Sequence, residues 1–126
     1  MSDILKNISK AEVLTLASLV DYSEGQVVSK TLVQNKGVGL TLFAFAKGEG
    51  ISTHESKGDA LVTVLDGEGE FTIDGVPYLL RSGESIVMPA NHPHAVFGKE
   101  NFKMLLSVTS PARAISGSSI PVSFPS

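Results

Sequence analysis

The sequence predicts an all-β domain, built as a barrel or sandwich of antiparallel strands. Between residues 26 and 109, short apolar runs alternate with turn residues at intervals of about 8–12 residues. The dipeptide Asp74-Gly75 separates two of these runs, and this pair is a strong signal for a tight β-hairpin. A regular succession of short strands and turns is typical of sandwiches and barrels rather than of parallel α/β folds.

Each predicted strand is an apolar run that ends at a cluster of Gly, Asn, Asp or Ser. The turn clusters supply the backbone conformations that reverse the chain, so they mark the strand ends. The predicted strands are residues 27–33, 38–46, 60–65, 69–73, 76–80, 85–89, 94–97 and 102–109.

The N-terminal segment, residues 1–25, is compatible with two local structures. Residues 9–12 (Ser-Lys-Ala-Glu) resemble a helix capping box, and apolar residues at 13, 16, 17 and 20 have helical spacing. The run at 13–16 (Val-Leu-Thr-Leu) is equally compatible with a short strand. We expect a short segment, helical or extended, that packs on a partner barrel or swaps with it. The barrel itself spans residues 26–109, and residues 110–126 form a tail rich in Ser and Pro.

Composition narrows the functional classes. The chain has 126 residues, of which 42% are hydrophobic and 18% charged, as expected for one globular domain. Its net charge is −3 and its ten Lys and Arg are scattered, which argues against a nucleic-acid partner. It has no cysteine, so disulfides, thiolate metal sites and cysteine nucleophiles are excluded. No signal-peptide-like or membrane-spanning apolar stretch is present, which predicts a cytoplasmic protein with no membrane partner.

Two stretches combine glycines, a proline and histidines at fixed spacing. Five residues separate the first glycine from a histidine in one stretch, and five separate a glycine from a proline in the other. The positions are Gly48, His54, Gly67, Gly83, Pro89 and His94.

These stretches resemble the two signature motifs of the cupin superfamily, and the resemblance covers about residues 38–109. The chain is similar to small single-domain, conserved-barrel cupins. The resemblance implies a double-stranded β-helix, or jelly roll, whose site lies in the mouth of the barrel. It also implies four metal ligands, and the first motif is degenerate here: Ser56 stands at the second histidine position and Ala60 at the glutamate position. Asn91 replaces a motif glycine, a tolerable change because Asn also adopts left-handed backbone conformations.

Only His54 and His94 remain of the four ligands that the resemblance implies. Three protein ligands are usual in a catalytic metal site. His92 is a candidate third ligand, which would give three nitrogens for one divalent transition metal such as zinc, iron, manganese or nickel. The alternative is that His54 and His94 are pocket histidines satisfied by hydrogen bonds and that His92 is a surface residue in a rigid turn before Pro93.

The remaining candidate pocket residues follow from strand alternation. Val62 and Val64 share a strand face with Ala60, and Phe102 and Met104 share a face of the last strand. In a barrel, such residues are core lining and pocket wall at the same time. The hydroxyl of Ser56 either faces the pocket or belongs to a local turn. The predicted pocket residues are Ser56, Ala60, Val62, Val64, Phe102 and Met104.

Two functions of different class are compatible with these residues. The first is a barrel that binds a small molecule and is metal-free or binds metal weakly, which the missing ligands favour. The alternative is a metal-dependent enzyme acting on a small organic substrate, of the dioxygenase, isomerase or decarboxylase type that the resemblance implies. A homodimer is compatible with either function. A partner subunit would cover the outer faces of the apolar strands and remove apolar surface from water.

Overall fold

The structure is a computed structural model that describes residues 4–109. Within that range it contains one 3-10 turn, Leu16–Leu19, and eight strands. The strands are β1 Val27–Gln34, β2 Val38–Phe45, β3 Gly50–His54, β4 Ala60–Ile73, β5 Val76–Arg81, β6 Ser85–Met88, β7 His94–Phe97 and β8 Phe102–Thr109.

The strands form one curled antiparallel sheet in the order β1-β2-β8-β4-β7-β3, with β5 and β6 also paired to β4. The first part of β4 lies between β6 and β8, and its second part lies between β5 and β7. Because one long strand belongs to both halves of the sheet, the halves face each other and enclose a core. The predicted all-β jelly-roll barrel is confirmed.

β4 is the main departure from the predicted strands, because the sequence suggested two strands separated at Asp66-Gly67. The pairing of β4 with β8 shifts register between Val64 and Asp66, so the apparent break is a bulge inside a continuous strand. Gly67 has a φ of 75°, and a Cβ there would lie 1.9 Å from the carbonyl oxygen of Asn101. The turn-like residues therefore bend the strand from one half of the barrel into the other. A strand that was not among those predicted, β3, pairs with β7.

The core fills the barrel between the two halves of the sheet. The rings of Phe45 and Phe102 stack with centroids 4.6 Å apart, and Phe71 packs edge-on against Phe102. Gly69 allows this arrangement, because a Cβ there would lie 2.6 Å from the Phe102 ring. All three phenylalanines are fully buried, so this end of the barrel is closed.

The N-terminal segment covers the outer face of the barrel. Val20 is buried there with Leu32 of β1 and Leu42 of β2. Ala11 has a φ of 56°, which interrupts a right-handed helix, and the helical alternative is realised only as the 3-10 turn. In this single chain the segment packs on its own barrel, and its predicted packing on or exchange with a partner barrel stays a prediction.

The predicted tail, residues 110–126, lies outside the described residues. Between residues 4 and 109, no helix has the length and hydropathy needed to cross a membrane.

Candidate functional site

His54 and His94 meet at the open end of the barrel. His54 is the last residue of β3, His94 is the first residue of β7, and the two are cross-strand partners. The turn that leads into β7 contains Asn91 with a φ of 64°, which confirms the left-handed conformation expected for this replacement of a glycine. His94 is buried, with 3% of its surface exposed, whereas His54 is exposed.

The two imidazole rings face each other through their Nε2 atoms, which are 3.2 Å apart. Nδ1 of His54 lies 3.0 Å from the carbonyl oxygen of Ser52, and Nδ1 of His94 lies 3.1 Å from that of His92. A carbonyl oxygen only accepts, so each Nδ1 carries the proton and donates it. In neutral rings both Nε2 atoms then present lone pairs to each other, and these repel at this distance. A proton or a cation between the two nitrogens would relieve this repulsion.

The electrostatics of the pair disfavour a positive charge on His94. Burial is the largest factor that lowers the pKa of His94, and the charge of His54 lowers it further. The carbonyl of His92 and the charge of Glu55 oppose this shift without reversing it. A second proton would place two positive charges about 3 Å apart in a partly desolvated site, which Coulomb repulsion disfavours. Besides the two protons on Nδ1, the two Nε2 atoms therefore hold at most one proton between them.

The histidines form the polar end of a small apolar cavity of about 60 Å³. Liquid water occupies about 30 Å³ per molecule, so the cavity has room for the head of a ligand and not for a drug-sized molecule. Apart from the imidazoles and one hydroxyl, the wall is apolar. The lining residues are Ile51, His54, Ser56, Ala60, Met88, His94, Val96, Met104, Leu106 and Val108.

The predicted pocket residues divide into two groups. Ser56, Ala60 and Met104 line the cavity together with the histidines. Ser56 lies beyond the end of β3, and its hydroxyl donates to the carbonyl oxygen of Gly58 at 2.8 Å, so the proton serves a local turn.

The other predicted pocket residues, Val62, Val64 and Phe102, do not line the cavity. They are fully buried, because they lie deeper in the barrel and pack in its core. Strand alternation identified the correct face of each strand, but it does not say how far down the barrel a residue sits.

Five lining residues were not among the predicted pocket residues: Ile51, Met88, Val96, Leu106 and Val108. Val96 is two residues after His94, and Val108 extends the alternating stripe of β8, so alternation could have found both. Ile51 is three residues before His54 and shares its cavity because the pairing of β3 with β7 shifts between these residues. The sequence gives no signal for that shift.

His92 is not brought to the other two histidines. Its Nδ1 lies 2.7 Å from Oδ2 of Asp74, on the hairpin that follows β4, and its ring does not line the cavity. Its backbone carbonyl still contributes to the site, because it accepts the hydrogen bond that orients His94. The carboxylate of Asp74 therefore holds the ring of His92 away from His54 and His94.

The histidine pair matches part of the geometry of a metal centre. Two imidazoles bound to one tetrahedral zinc at about 2.0–2.1 Å have nitrogens about 3.3 Å apart, close to the 3.2 Å observed. Hydrogen bonds from Nδ1 to carbonyl oxygens also orient histidines in metal sites. Among residues 4–109, however, no group of three or more His, Cys, Asp or Glu side chains could hold an ion. His54 and His94 could therefore supply two ligands to a metal ion, one fewer than the usual three.

Comparisons with known proteins agree with this architecture. A family described as "Cupin domain" matches residues 41–108. The chain is similar to a cupin superfamily protein from Desulfitobacterium hafniense, with 40% identity, a TM-score of 0.81, and coverage of 84% of this chain and 97% of that one. It is also similar to a conserved protein of unknown function from Streptococcus pyogenes, with 44% identity, a TM-score of 0.85, and coverage of 87% and 96%.

A curated relative is the quercetin 2,3-dioxygenase of Bacillus subtilis, 31% identical over 93 residues. The match covers 70% of this chain and 28% of the dioxygenase, so the chain corresponds to less than a third of that protein's length.

Proposed function

Because the chain belongs to the cupin domain family, we propose that it binds a small organic molecule at the open end of its barrel, without metal or with weakly bound metal. The observation that carries this proposal is the histidine pair, whose Nε2 atoms converge at 3.2 Å in an otherwise apolar cavity. Small-molecule sites are typically apolar, with a few fixed polar groups that orient the ligand. His54 and His94 supply those groups.

The histidine pair can both donate and accept a hydrogen bond at the ligand. When both rings are neutral, the two Nε2 atoms accept hydrogen bonds; when the pair takes up one proton, one Nε2 donates and the other still accepts. A hydroxyl or protonated carboxyl group that enters the cavity can therefore donate to a neutral Nε2, and a carbonyl group can accept from the protonated pair. The Nδ1 hydrogen bonds fix both rings in advance, which reduces the entropy lost on binding.

A thermal-shift screen of a fragment library tests this proposal. Ligands should raise the melting temperature by several degrees through mass action when their concentration far exceeds Kd. His54→Ala should abolish the shift; His54 is the better target because it is exposed, so its removal leaves the core intact. His92→Ala is the matched control, since His92 does not line the cavity, and it should retain the shift. Shifts that survive His54→Ala, or a diverse library without any shift, would contradict the proposal.

A metal-dependent enzyme is the second candidate, favoured by the nitrogen spacing and by the carbonyl partners of both Nδ1 atoms. His54 and His94 would hold the ion, and the substrate or water would complete its ligands. When bound, a divalent transition metal would polarise a substrate oxygen as a Lewis acid. The similarity to a quercetin 2,3-dioxygenase supports this candidate, although the match covers only part of that protein.

Metal content separates the two candidates. Elemental mass spectrometry of untagged protein should find much less than one equivalent of Zn, Fe, Mn or Ni if binding is metal-free. Near one equivalent, lost in His54→Ala and kept in His92→Ala, would establish the metal-dependent candidate instead.

We also propose that the chain forms a homodimer in the cytoplasm. Leu61 of β4 and Val87 of β6 are cross-strand partners on the outer face and are 46% and 52% exposed. Burial of these two side chains against a second copy of the chain would remove apolar surface from water. Light scattering after size exclusion should give twice the chain mass, and Leu61→Glu should give the monomer. A monomeric wild type would contradict the dimer, and recovery of native protein from a membrane or secreted fraction would contradict the location.

A further inference from the structure

A second, wider hollow lies beside the histidine cavity, at the same end of the barrel. It has a volume of about 530 Å³, within the range of small-molecule sites. Leu106 and Val108 of β8 line both the hollow and the histidine cavity, so the two share a wall. The lining residues of the hollow are Gln34, Asn35, Lys36, Val38, Gly39, Thr41, Leu106 and Val108.

The hollow exists because side chains on one face of β2 become smaller towards the open end. Phe43 and Phe45 contribute to the core at the closed end, where their rings stack with centroids 5.7 Å apart. Further along the same face, at two-residue intervals, stand Thr41 and Gly39. The two small residues leave open the space that aromatic rings occupy lower in the barrel.

The polar groups of the hollow favour an anion. The side-chain amide of Gln34 lies over Gly39, with Oε1 3.4 Å from the position a Cβ would take there. Lys36 is exposed in the turn between β1 and β2, and within residues 4–109 its ammonium group has no hydrogen-bond or ion-pair partner. Asn35 is already engaged, because its Oδ1 accepts from the backbone N–H groups of Gly37 and Val38.

No Asp or Glu of the described residues lines either the hollow or the histidine cavity. The chain as a whole is acidic, with a net charge of −3, so a concave surface without carboxylates is a local exception. The exposed Glu55 follows His54 but is not part of the lining. A carboxylate ligand would therefore lie near the ammonium group of Lys36, and no carboxylate in the lining would repel it.

We propose that the hollow and the histidine cavity are one site for a small amphipathic carboxylate. The carboxylate lies at Lys36 and Gln34, the apolar body lies on Leu106 and Val108, and the far end enters the cavity in front of the histidine pair. This inference rests on the proposed function, since it names the class of molecule that the same site binds.

The test uses the full chain and three pairs of probes: phenylacetate, 3-phenylpropanoate and 4-phenylbutanoate, each with its uncharged primary amide. Binding is measured by calorimetry, and the site is located by NMR of methyl groups of Leu106 and Val108. At least one acid should bind more tightly than its amide and shift these methyl signals. Because screening weakens exposed charge interactions, the preference for the acid should shrink in about 0.5 M salt.

Lys36→Met should lower affinity for the acid about three- to fivefold, the effect of one exposed ion pair, and leave the amide unchanged. Lys99→Met is the matched control, because Lys99 is an exposed lysine in the turn before β8, at the closed end. It should change neither affinity.

Equal binding of acid and amide, or equal affinity in Lys36→Met, would overturn the carboxylate assignment and leave small-molecule binding intact. Binding that shifts only methyl groups remote from Leu106 and Val108 would overturn the position of the site. Failure of all six probes would overturn this inference as well. The proposed function is judged separately, by the library screen and its dependence on His54.

Discussion

The two ends of the barrel are built from the same strands and differ in what their inward side chains do. At the closed end, Phe45 and Phe102 stack and are fully buried. At the open end of the same region of sheet, His94 is buried behind an exposed His54, beside a cavity. β8 runs from one environment to the other, from buried Phe102 to partly buried Val108.

Strand pairing alone does not make a site. Residues of β2 and β8 pair in continuous register from one end to the other, so the backbone is equally regular at both. Large rings fill the barrel at one end, and glycine, threonine and histidine leave it open at the other. The closed end therefore supplies stability, and the open end is left with room for chemistry.

The largest expected effect is the loss of core packing at the closed end. Phe102→Ala should lower the free energy of unfolding by about 3–5 kcal/mol, because it leaves a cavity among aromatic rings. Leu106→Ala, on the same face of β8 but at the open end, should cost less than about 2 kcal/mol because its side chain is only partly buried. Urea denaturation of both variants measures the difference. Similar losses of unfolding free energy in the two variants would mean that the open end contributes as much to stability as the closed end.

A second prediction concerns whether the open end retains the frame of a metal site. Ser56→His combined with Ala60→Glu restores the two ligand types that the family motif implies beside His54 and His94. This variant should gain about 2.7 kcal/mol of stability when Ni²⁺ or Mn²⁺ is present at a hundred times Kd. Melting curves with metal and with EDTA measure the gain, and Ser56→His alone is the control. A variant that melts identically with and without metal would show that the backbone geometry at the open end no longer suits a metal site, even when the ligand residues are restored.

The third prediction is a pH dependence that belongs to the open end. The pKa of His94 is lowered in the folded protein, so below the unfolded value of 6.5 the unfolded chain binds the proton more readily. Stability should be complete above pH 6.5 and fall as the pH decreases towards the folded pKa, by at most about 1.4 kcal/mol per pH unit.

Urea denaturation in EDTA at pH 7, 6 and 5 measures this dependence. His94→Gln should have a flatter profile than wild type, because it removes the group whose proton uptake accompanies unfolding. His92→Gln is the control at a histidine outside the cavity. A profile for His94→Gln as steep as that of wild type would assign the dependence to other groups.

The smallest expected effect is at the outer surface of the closed end, where the N-terminal segment is attached. Tyr22 donates a hydrogen bond to Asp66, and Lys103 lies over the Tyr22 ring while it donates to the carbonyl oxygen of Ala17 at 2.6 Å. Tyr22→Phe should cost about 1 kcal/mol or less, because the pair is partly exposed to water. Chemical denaturation measures it against Tyr78→Phe, which alters an exposed tyrosine of β5. A neutral Tyr22→Phe would mean that apolar packing alone holds the segment.

Much of the fold could be predicted because it depends on local sequence. Asp74 and Gly75 both have positive φ, as a tight hairpin requires, and the strands on either side pair through Ile73 and Val76. The N-terminal segment was harder to predict, because its apolar spacing fits a helix while Ala11 adopts a left-handed conformation. Contacts with the barrel, which local propensity does not contain, decide between the two.

The all-β class, the inward face of most strands and the two histidines at the barrel mouth follow from the sequence alone. Alternation along a strand and fixed motif spacing carry that information. The folded barrel makes β4 continuous, turns His92 to Asp74 and brings the Nε2 atoms of His54 and His94 to 3.2 Å. These features depend on bulges and on the curl of the sheet, which are set by packing among strands far apart in sequence.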